Sequence, residues 1–342
     1  MGFIWIDGFG HYTAMPGSAG AKWDSAGTVA NFSIDATGGR FSNPVLKCTG
    51  QSSAVYIQKG FTNIGPTVYL GLAWKAAAYP ASGQVGIFTL YDGSTAQCSL
   101  AMLSTGVLNT IRGTATGTSL LQSSLTLSLN VWYYIEAKIL IGGAGVGIFQ
   151  IWVDGIEWIP STFVNNISSA NQQANAIRLF LSAGTVTTAN FWIGDLYIHN
   201  SARQGDVRVQ YRPPTGAGAN SEWTPSSSVD NYSCVDEAPP STVDYVEATD
   251  LDKIDSYEMQ DTSIANGTVL AVVGNYYCQK TDAGSRQIAM VTELGSNENE
   301  STGKAVASSW SYLQFIQETK PGGGAWTVDD SKDAEMGMKI TV

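Results

Sequence analysis

Few side chains in this sequence are of the kind that do acid–base or nucleophilic work, and their spacing is poor for it. The two imidazoles, His11 and His199, lie at opposite ends of the first half and belong to an early turn and a strand end. No Gly-x-Ser-x-Gly elbow, His-Glu-x-x-His pair or Walker loop occurs. Gly322-Gly323-Gly324 precedes no phosphate-binding helix pattern and reads as a loop. Glycoside hydrolysis needs two carboxylates about 5–10 Å apart on one wet face. Glu136 is the lone acid of its strand, with Lys138 as same-face neighbour, so a surface charge pair is expected. The expectation is a protein that is not an enzyme and has no cofactor. Trp132, Tyr134 and Trp152 remain as candidate binding residues: flat aromatics on one face suit either a sugar ring or a neighbouring subunit. Asp250-x-Asp252-x-x-Asp255 could offer oxygens to Ca²⁺, but it lacks the glycine and terminal glutamate of an EF-hand loop and reads as a solvated acidic loop.

The elements that position these residues are strands. Charged residues make up only 14% of the chain, too few to coat helices, while Gly numbers 37 and supplies turns. Val55-Tyr56-Ile57, Val68 to Trp74, Gly86 to Tyr91 and Cys98 to Met102 alternate or run apolar at strand length. Asp92-Gly93 and Asp154-Gly155, between apolar flanks, predict tight hairpins. The two-residue period of Trp132 to Ile141 puts Ile135, Ala137, Ile139 and Ile141 on one face and Trp132, Tyr134, Glu136 and Lys138 on the other. Phe149 to Val153 repeats the pattern after a glycine turn, with Gln150 and Trp152 outward, which predicts a long antiparallel hairpin with one wet face. In the second half Val269 to Val273, Ile288 to Val291, Tyr312 to Ile316 and Met338 to Val342 are strand-like.

The hairpin closing on Val153-Asp154-Gly155 resembles that of the concanavalin A-like (laminin-G-like) sandwich, and Phe191 to Ile198 resembles its closing strand. Ile6-Asp7-Gly8-Phe9-Gly10-His11-Tyr12 with Lys22-Trp23 resembles the start of a family of tailed-phage structural proteins that carry this lectin-like domain. Arg203-Gln204-Gly205-Asp206-Val207-Arg208-Val209, Trp223 to Ser226 and Tyr232 to Glu237 resemble its second half. The resemblance implies an all-β protein of two antiparallel β-sandwich (jelly-roll-like) domains, the first concanavalin A-like. It also implies a virion component in a tail, tail-tip or fibre-associated place, with capsid decoration and host-glycan recognition as alternatives. Partners would be other virion proteins, further copies of itself and a host surface glycan.

Charge and punctuation divide the chain at 1–202 and 203–342. The first part holds eight acids and eight bases, the second twenty-one and ten, which accounts for the net charge of −11. Such a balance excludes a nucleic-acid partner, because phosphate contacts need clustered bases. It suits a neutral first domain packed on neighbours and an acidic, exposed second one. No secretory leader or membrane-length apolar run is expected, so Cys48, Cys98, Cys234 and Cys278 are expected as thiols, made in the host cytoplasm and carried into the virion; one bridge within a half is the alternative. The Asn-x-Ser/Thr sequons then carry no weight.

Overall fold

The computed structural model describes residues 2–12, 22–52, 54–182, 187–227 and 230–342. The described residues are nearly all β, with one α-helix of six residues, Val328–Asp333, opened by a capping box between Thr327 and Asp330. Among the described residues two compact units separate, the first holding 2–12 and residues from 23 to 209, the second residues from 210 to 342. The segment 203–209, placed by its sequence with the second half, therefore packs with the first unit. No helix among the described residues is long and apolar enough to cross a membrane.

The first unit is a sandwich of an eight-stranded and a seven-stranded antiparallel sheet. In the eight-stranded sheet the order is Ile156–Val164, Gly147–Val153, Tyr133–Leu140, Thr67–Ala76, Thr187–His199, Val45–Gln51 and Phe32–Asp35. Phe3–Asp7 also joins it, pairing with the C-terminal half of Thr187–His199. The seven-stranded sheet runs Thr118–Thr126, Val107–Arg112, Thr95–Leu103, Gln84–Asp92, Ala174–Leu179, Ile57–Gly65 and Ser25–Ala26. Their inner faces share one core, in which Trp74 stacks on Phe191 with ring centroids 5.6 Å apart and meets Phe180 at 5.9 Å.

The long hairpin has the register that its two-residue period predicts. Ile135 faces Val153, Ala137 faces Ile151 and Ile139 faces Phe149, all buried, while Glu136 faces Trp152 and Lys138 faces Gln150 on the outer side. Asp154 and Gly155 both take positive φ (49° and 78°), the conformation that suits a two-residue turn to the strand twist. The other predicted turn falls one place later. Asp92 pairs with Thr95, and Gly93 (φ 58°) and Ser94 make the loop. Asp92 is thus a strand end, and its carboxylate is free to organise a loop elsewhere. It accepts hydrogen bonds from Ser169 Oγ (2.8 Å), Asn171 Nδ2 (2.9 Å), Gln173 Nε2 (2.9 Å) and Asn175 Nδ2 (3.3 Å). Buried Gln97 fixes the same loop, its amide oxygen accepting from the backbone of Ser168 and Ser169.

The second unit contains a six-stranded antiparallel sheet of Pro214–Ser221, Ile254–Met259, Glu335–Ile340, Gln287–Leu294 and Asn297–Glu300, with Lys304–Ala305 at its margin. A ribbon of Val272–Cys278 and Ser311–Gln317 lies against it through Met290, Ile288 and Phe315, and Tyr276 donates from its hydroxyl to the Gly337 carbonyl at 2.6 Å. All four cysteines are free thiols.

The hydrogen bonds from Gln173, Ser169 and Asn171 hold the Asp92 carboxyl below its ordinary range. A carboxylate depressed in the folded state stabilises the fold above the unfolded pKa, and that contribution is lost as pH falls through the folded value. Acidification from about pH 5 to about pH 3 is therefore expected to speed hydrogen exchange, beyond its intrinsic pH dependence, at 168–175. In Asp92→Ala the segment should already exchange fast at pH 5, with no further loosening; an acid response equal to wild type would show that another group controls the loop.

Candidate functional site

The outer face of the eight-stranded sheet carries the residues that the sequence singled out, and its centre is closed. Glu136 is 1% exposed although its side chain points away from the sandwich core. Segment 203–209 lies across it. One carboxylate oxygen accepts from Tyr197 Oη (2.7 Å) and the Gly205 amide (2.8 Å), and the other accepts from Arg203 Nη1 at 2.7 Å. The Gln204 amide donates to Tyr197 Oη at 3.0 Å. The expected surface pair of Glu136 with Lys138 is thus replaced by a buried pair with Arg203. Lys138 and Gln150 stay half-exposed, as the period predicts.

A second clamp lies beside the first, at an irregularity in the closing strand. Thr187–His199 pairs with Val45–Gln51 along its first half and with Phe3–Asp7 along its second, and its register against Thr67–Ala76 shifts between Gly194 and Tyr197. Asp195 sits in that shift with φ 47°, a left-handed conformation that Asp tolerates better than most residues. Its carboxylate accepts from Arg40 Nε (3.2 Å) and Nη2 (3.1 Å) and from the Val209 amide (2.9 Å). Arg40 also donates to Asp206 and to the Val207 carbonyl. Burial raises the Asp195 carboxyl, and Arg40 opposes that shift.

Between the clamps Tyr134 is buried under Arg40, whose guanidinium lies 4.7 Å from the ring centroid, and it donates to the Asp195 carbonyl at 3.1 Å. Burial, followed by the neighbouring Tyr197, Asp195 and Glu136, pushes its phenol well up, so the hydroxyl stays protonated and acts as a donor. Gly71 makes room for these rings: a β-carbon there would stand 2.2 Å from Tyr197 Cε1 and 2.9 Å from Tyr134 Oη. The chemistry of this centre is retention. Two carboxylates, two guanidiniums and two phenols hold segment 203–209 on the sheet.

Trp132, Tyr134 and Trp152 therefore share a face without forming one open platform. Tyr134 is inside the network. Trp152 lies half-buried beneath Arg203, whose guanidinium is 4.8 Å from its ring. Trp132 stands at the other end, where Lys75 Nζ lies 4.9 Å from its ring and 4.3 Å from that of Trp192. Trp192 donates from Nε1 to Asp35 at 2.9 Å, and burial lowers the Lys75 ammonium against the raising effect of Asp35. Trp132, Lys75 and Trp192, half-buried like Trp152, form a second row of rings and cation on this face. Sequence reasoning missed Arg40, Lys75, Trp192, Asp195 and Arg203. Their partners lie on other strands, and the local pattern gives no sign of them.

The other sequence candidates are drawn apart. Asp255 is buried, accepting from Asn231 Nδ2 at 2.9 Å and Tyr257 Oη at 2.5 Å; Asp252 pairs with Lys339 at 3.3 Å, and Asp250 is exposed. Among the described residues no group of three or more His, Cys, Asp or Glu is placed to hold a metal ion. His199 Nδ1 accepts from the amides of Ser201 (3.1 Å) and Ala202 (3.0 Å), closing the turn after its strand.

No family model and no curated protein matches the chain. Similar solved structures include an endo-beta-1,4-glucuronan lyase from the fungus Trichoderma reesei, 12% identical, with a TM-score of 0.43 over 58% of this chain and 96% of that one. A PL-14 alginate lyase from Aplysia kurodai is 10% identical, with a TM-score of 0.43 over 57% and 98%. The binding domain of Paraclostridial Mosquitocidal Protein 1 is 14% identical, with a TM-score of 0.37 over 53% and 44%. Likeness of this degree carries no activity or ligand to this chain. It does correct one expectation. Lyases stand among the similar structures, so missing sequence motifs do not make the chain a non-enzyme; catalytic groups are recognised by geometry rather than by local motif.

Removing the buried carboxylate in Glu136→Ala strands a tyrosine hydroxyl, an amide and a guanidinium that is 35% exposed and can return to water. The expected loss is about 2–3 kcal/mol in urea unfolding, with Glu136→Gln losing less. Trypsin should also cut Glu136→Ala after Arg203 or Arg208 faster than wild type. Unchanged stability with an uncut segment would mean that Glu136 does not hold it.

Proposed function

We propose that this chain is a structural subunit of a tailed-phage particle, in a tail, tail-tip or fibre-associated place, whose sandwich unit docks on other virion proteins and on copies of itself. The supporting observation is that two blocks carrying the resemblance to such proteins are tied firmly into the unit, one into its core and one over its outer face. In the opening block, buried Asp7 accepts from the Phe9 amide (2.9 Å), Tyr12 Oη (3.1 Å) and Trp23 Nε1 (2.9 Å), and Phe9 stacks on Trp23 with centroids 6.2 Å apart. In the other block, 203–209 is clamped by Glu136, Asp195 and Arg40. The resemblance thus falls on residues that give the unit one fixed surface, which docking in many identical copies requires.

Purified particles of the phage that encodes the chain, separated into heads and tails and analysed by peptide mass spectrometry, test this reading. Peptides of this chain are expected in the tail fraction. Peptides confined to heads would move it to capsid decoration, and absence from both would end the virion reading.

A second reading, host-glycan recognition, is favoured by the half-exposed row of Trp132, Lys75 and Trp192. If it holds, glycan-array binding should be lost in Trp132→Ala. Trp152→Ala, beneath Arg203, should change it less. Equal loss in both would place the contact elsewhere.

A further inference from the structure

The seven-stranded sheet has an outer face of its own, and one cation there is treated differently from those just described. Arg178 lies on Ala174–Leu179, which pairs on both sides, with Gln84–Asp92 and with Ile57–Gly65. Its neighbours across the ladder are Gln58 and Thr89. Tyr56 and Tyr91 flank the guanidinium, with ring centroids 4.1 Å and 4.3 Å from Cζ. Nε donates to Gln58 Oε1 at 2.7 Å and Nη1 to Tyr91 Oη at 3.2 Å. A guanidinium has five N–H donors, so three are left without an acceptor among the described residues. No carboxylate among the described residues pairs with it, and the residues outside that set include no Asp or Glu. Tyr91 is buried, and that burial is the main cause raising its phenol, against the lowering effect of Arg178.

A partly buried guanidinium set against two rings, with no carboxylate partner among the described residues, has donors to offer an anion. We propose that Arg178, fixed between Tyr56 and Tyr91, anchors a binding site for the carboxylate of a uronic-acid saccharide. The planar fork matches a carboxylate with two parallel hydrogen bonds. The saccharide follows from what surrounds it. These strands are interior to their sheet, so their backbone groups are engaged in the ladder and a peptide finds no edge to extend. Recognition falls to side chains, and those at hand are phenols and the amide of Gln58, whose nitrogen remains available to a sugar hydroxyl once its oxygen has accepted from Arg178. The site lies on the opposite sheet from the Trp132 row and does not depend on the virion reading.

Calorimetric titration of the full chain with an oligogalacturonate, a neutral oligosaccharide of equal length, a sulfated one and polyglutamate tests the proposal. The oligogalacturonate should saturate, with the other three at least about tenfold weaker. Gln58→Glu places a carboxylate against Nε with almost no change of shape, and Arg178→Lys keeps the charge without the fork. Each should weaken uronate binding by about tenfold or more while the unfolding midpoint stays at or above that of wild type for Gln58→Glu. No saturable uronate binding by wild type, or binding retained in both folded variants, would overturn the site. Polyglutamate or the sulfated sugar binding as tightly would overturn the uronate assignment.

Discussion

A carboxylate buried on the outer face of a sheet needs more donors than the sheet provides, and Glu136, besides Tyr197, finds them in a segment that begins 67 residues further along the chain. The rest of the first unit's outer surface follows from this. Because Arg203 and the Gly205 amide are drawn onto Glu136, segment 203–209 lies across the sheet and Tyr134, Tyr197 and Asp195 become interior. Left uncovered, Glu136 would hydrate readily. Covered, it needs every one of its partners, since a buried charge with a missing donor is destabilising. Segment and carboxylate therefore stand or fall together.

The same segment also depends on an irregular strand. A regular Thr187–His199 would alternate its side chains without interruption and bring no carboxylate to the Val209 amide. The register shift between Gly194 and Tyr197 turns Asp195 toward Arg40 and Val209, at the point where the strand exchanges one neighbour for another. Exchange of neighbours and bulge coincide because a strand that leaves one ladder for another must break register somewhere. Its backbone carbonyl is used as well, by Tyr134. One unusual residue thus ties its own strand, the strand of Tyr134, the turn that carries Arg40 and the segment.

These particulars explain what the sequence made legible. Alternation over Trp132 to Ile141 and Phe149 to Val153 sorted inner from outer residues correctly, because the period is local and one face is buried in a large core. It could not say what lies above the outer face. Glu136 and Lys138 have the same pattern, yet only Glu136 is covered, and the difference lies in Arg203. The turn at Asp92 was misplaced by one residue because the choice depends on the carboxylate's four distant amide and hydroxyl partners. Arg178 gave no signal for the same reason: of the tyrosines that flank it, Tyr91 comes from a neighbouring strand and Tyr56 from the residue just before another.

The two outer faces then differ in a way that composition hides. The first unit is nearly neutral, so its cations have acids enough to pair with. On the eight-stranded sheet Arg40 and Arg203 do so and are consumed in holding 203–209. On the seven-stranded sheet Arg178 has aromatic and amide neighbours instead, which fix its position without neutralising it. The two tyrosine rings pack close to the guanidinium, and Gln58 and Tyr91 accept from two of its five N–H groups, which leaves the others to a partner. A charge placed this way has its geometry determined in advance and its electrostatic demand unmet, the combination that favours binding of a complementary group over internal stability. Equal numbers of acids and bases therefore produce a sealed surface on one side of the sandwich and a receptive one on the other.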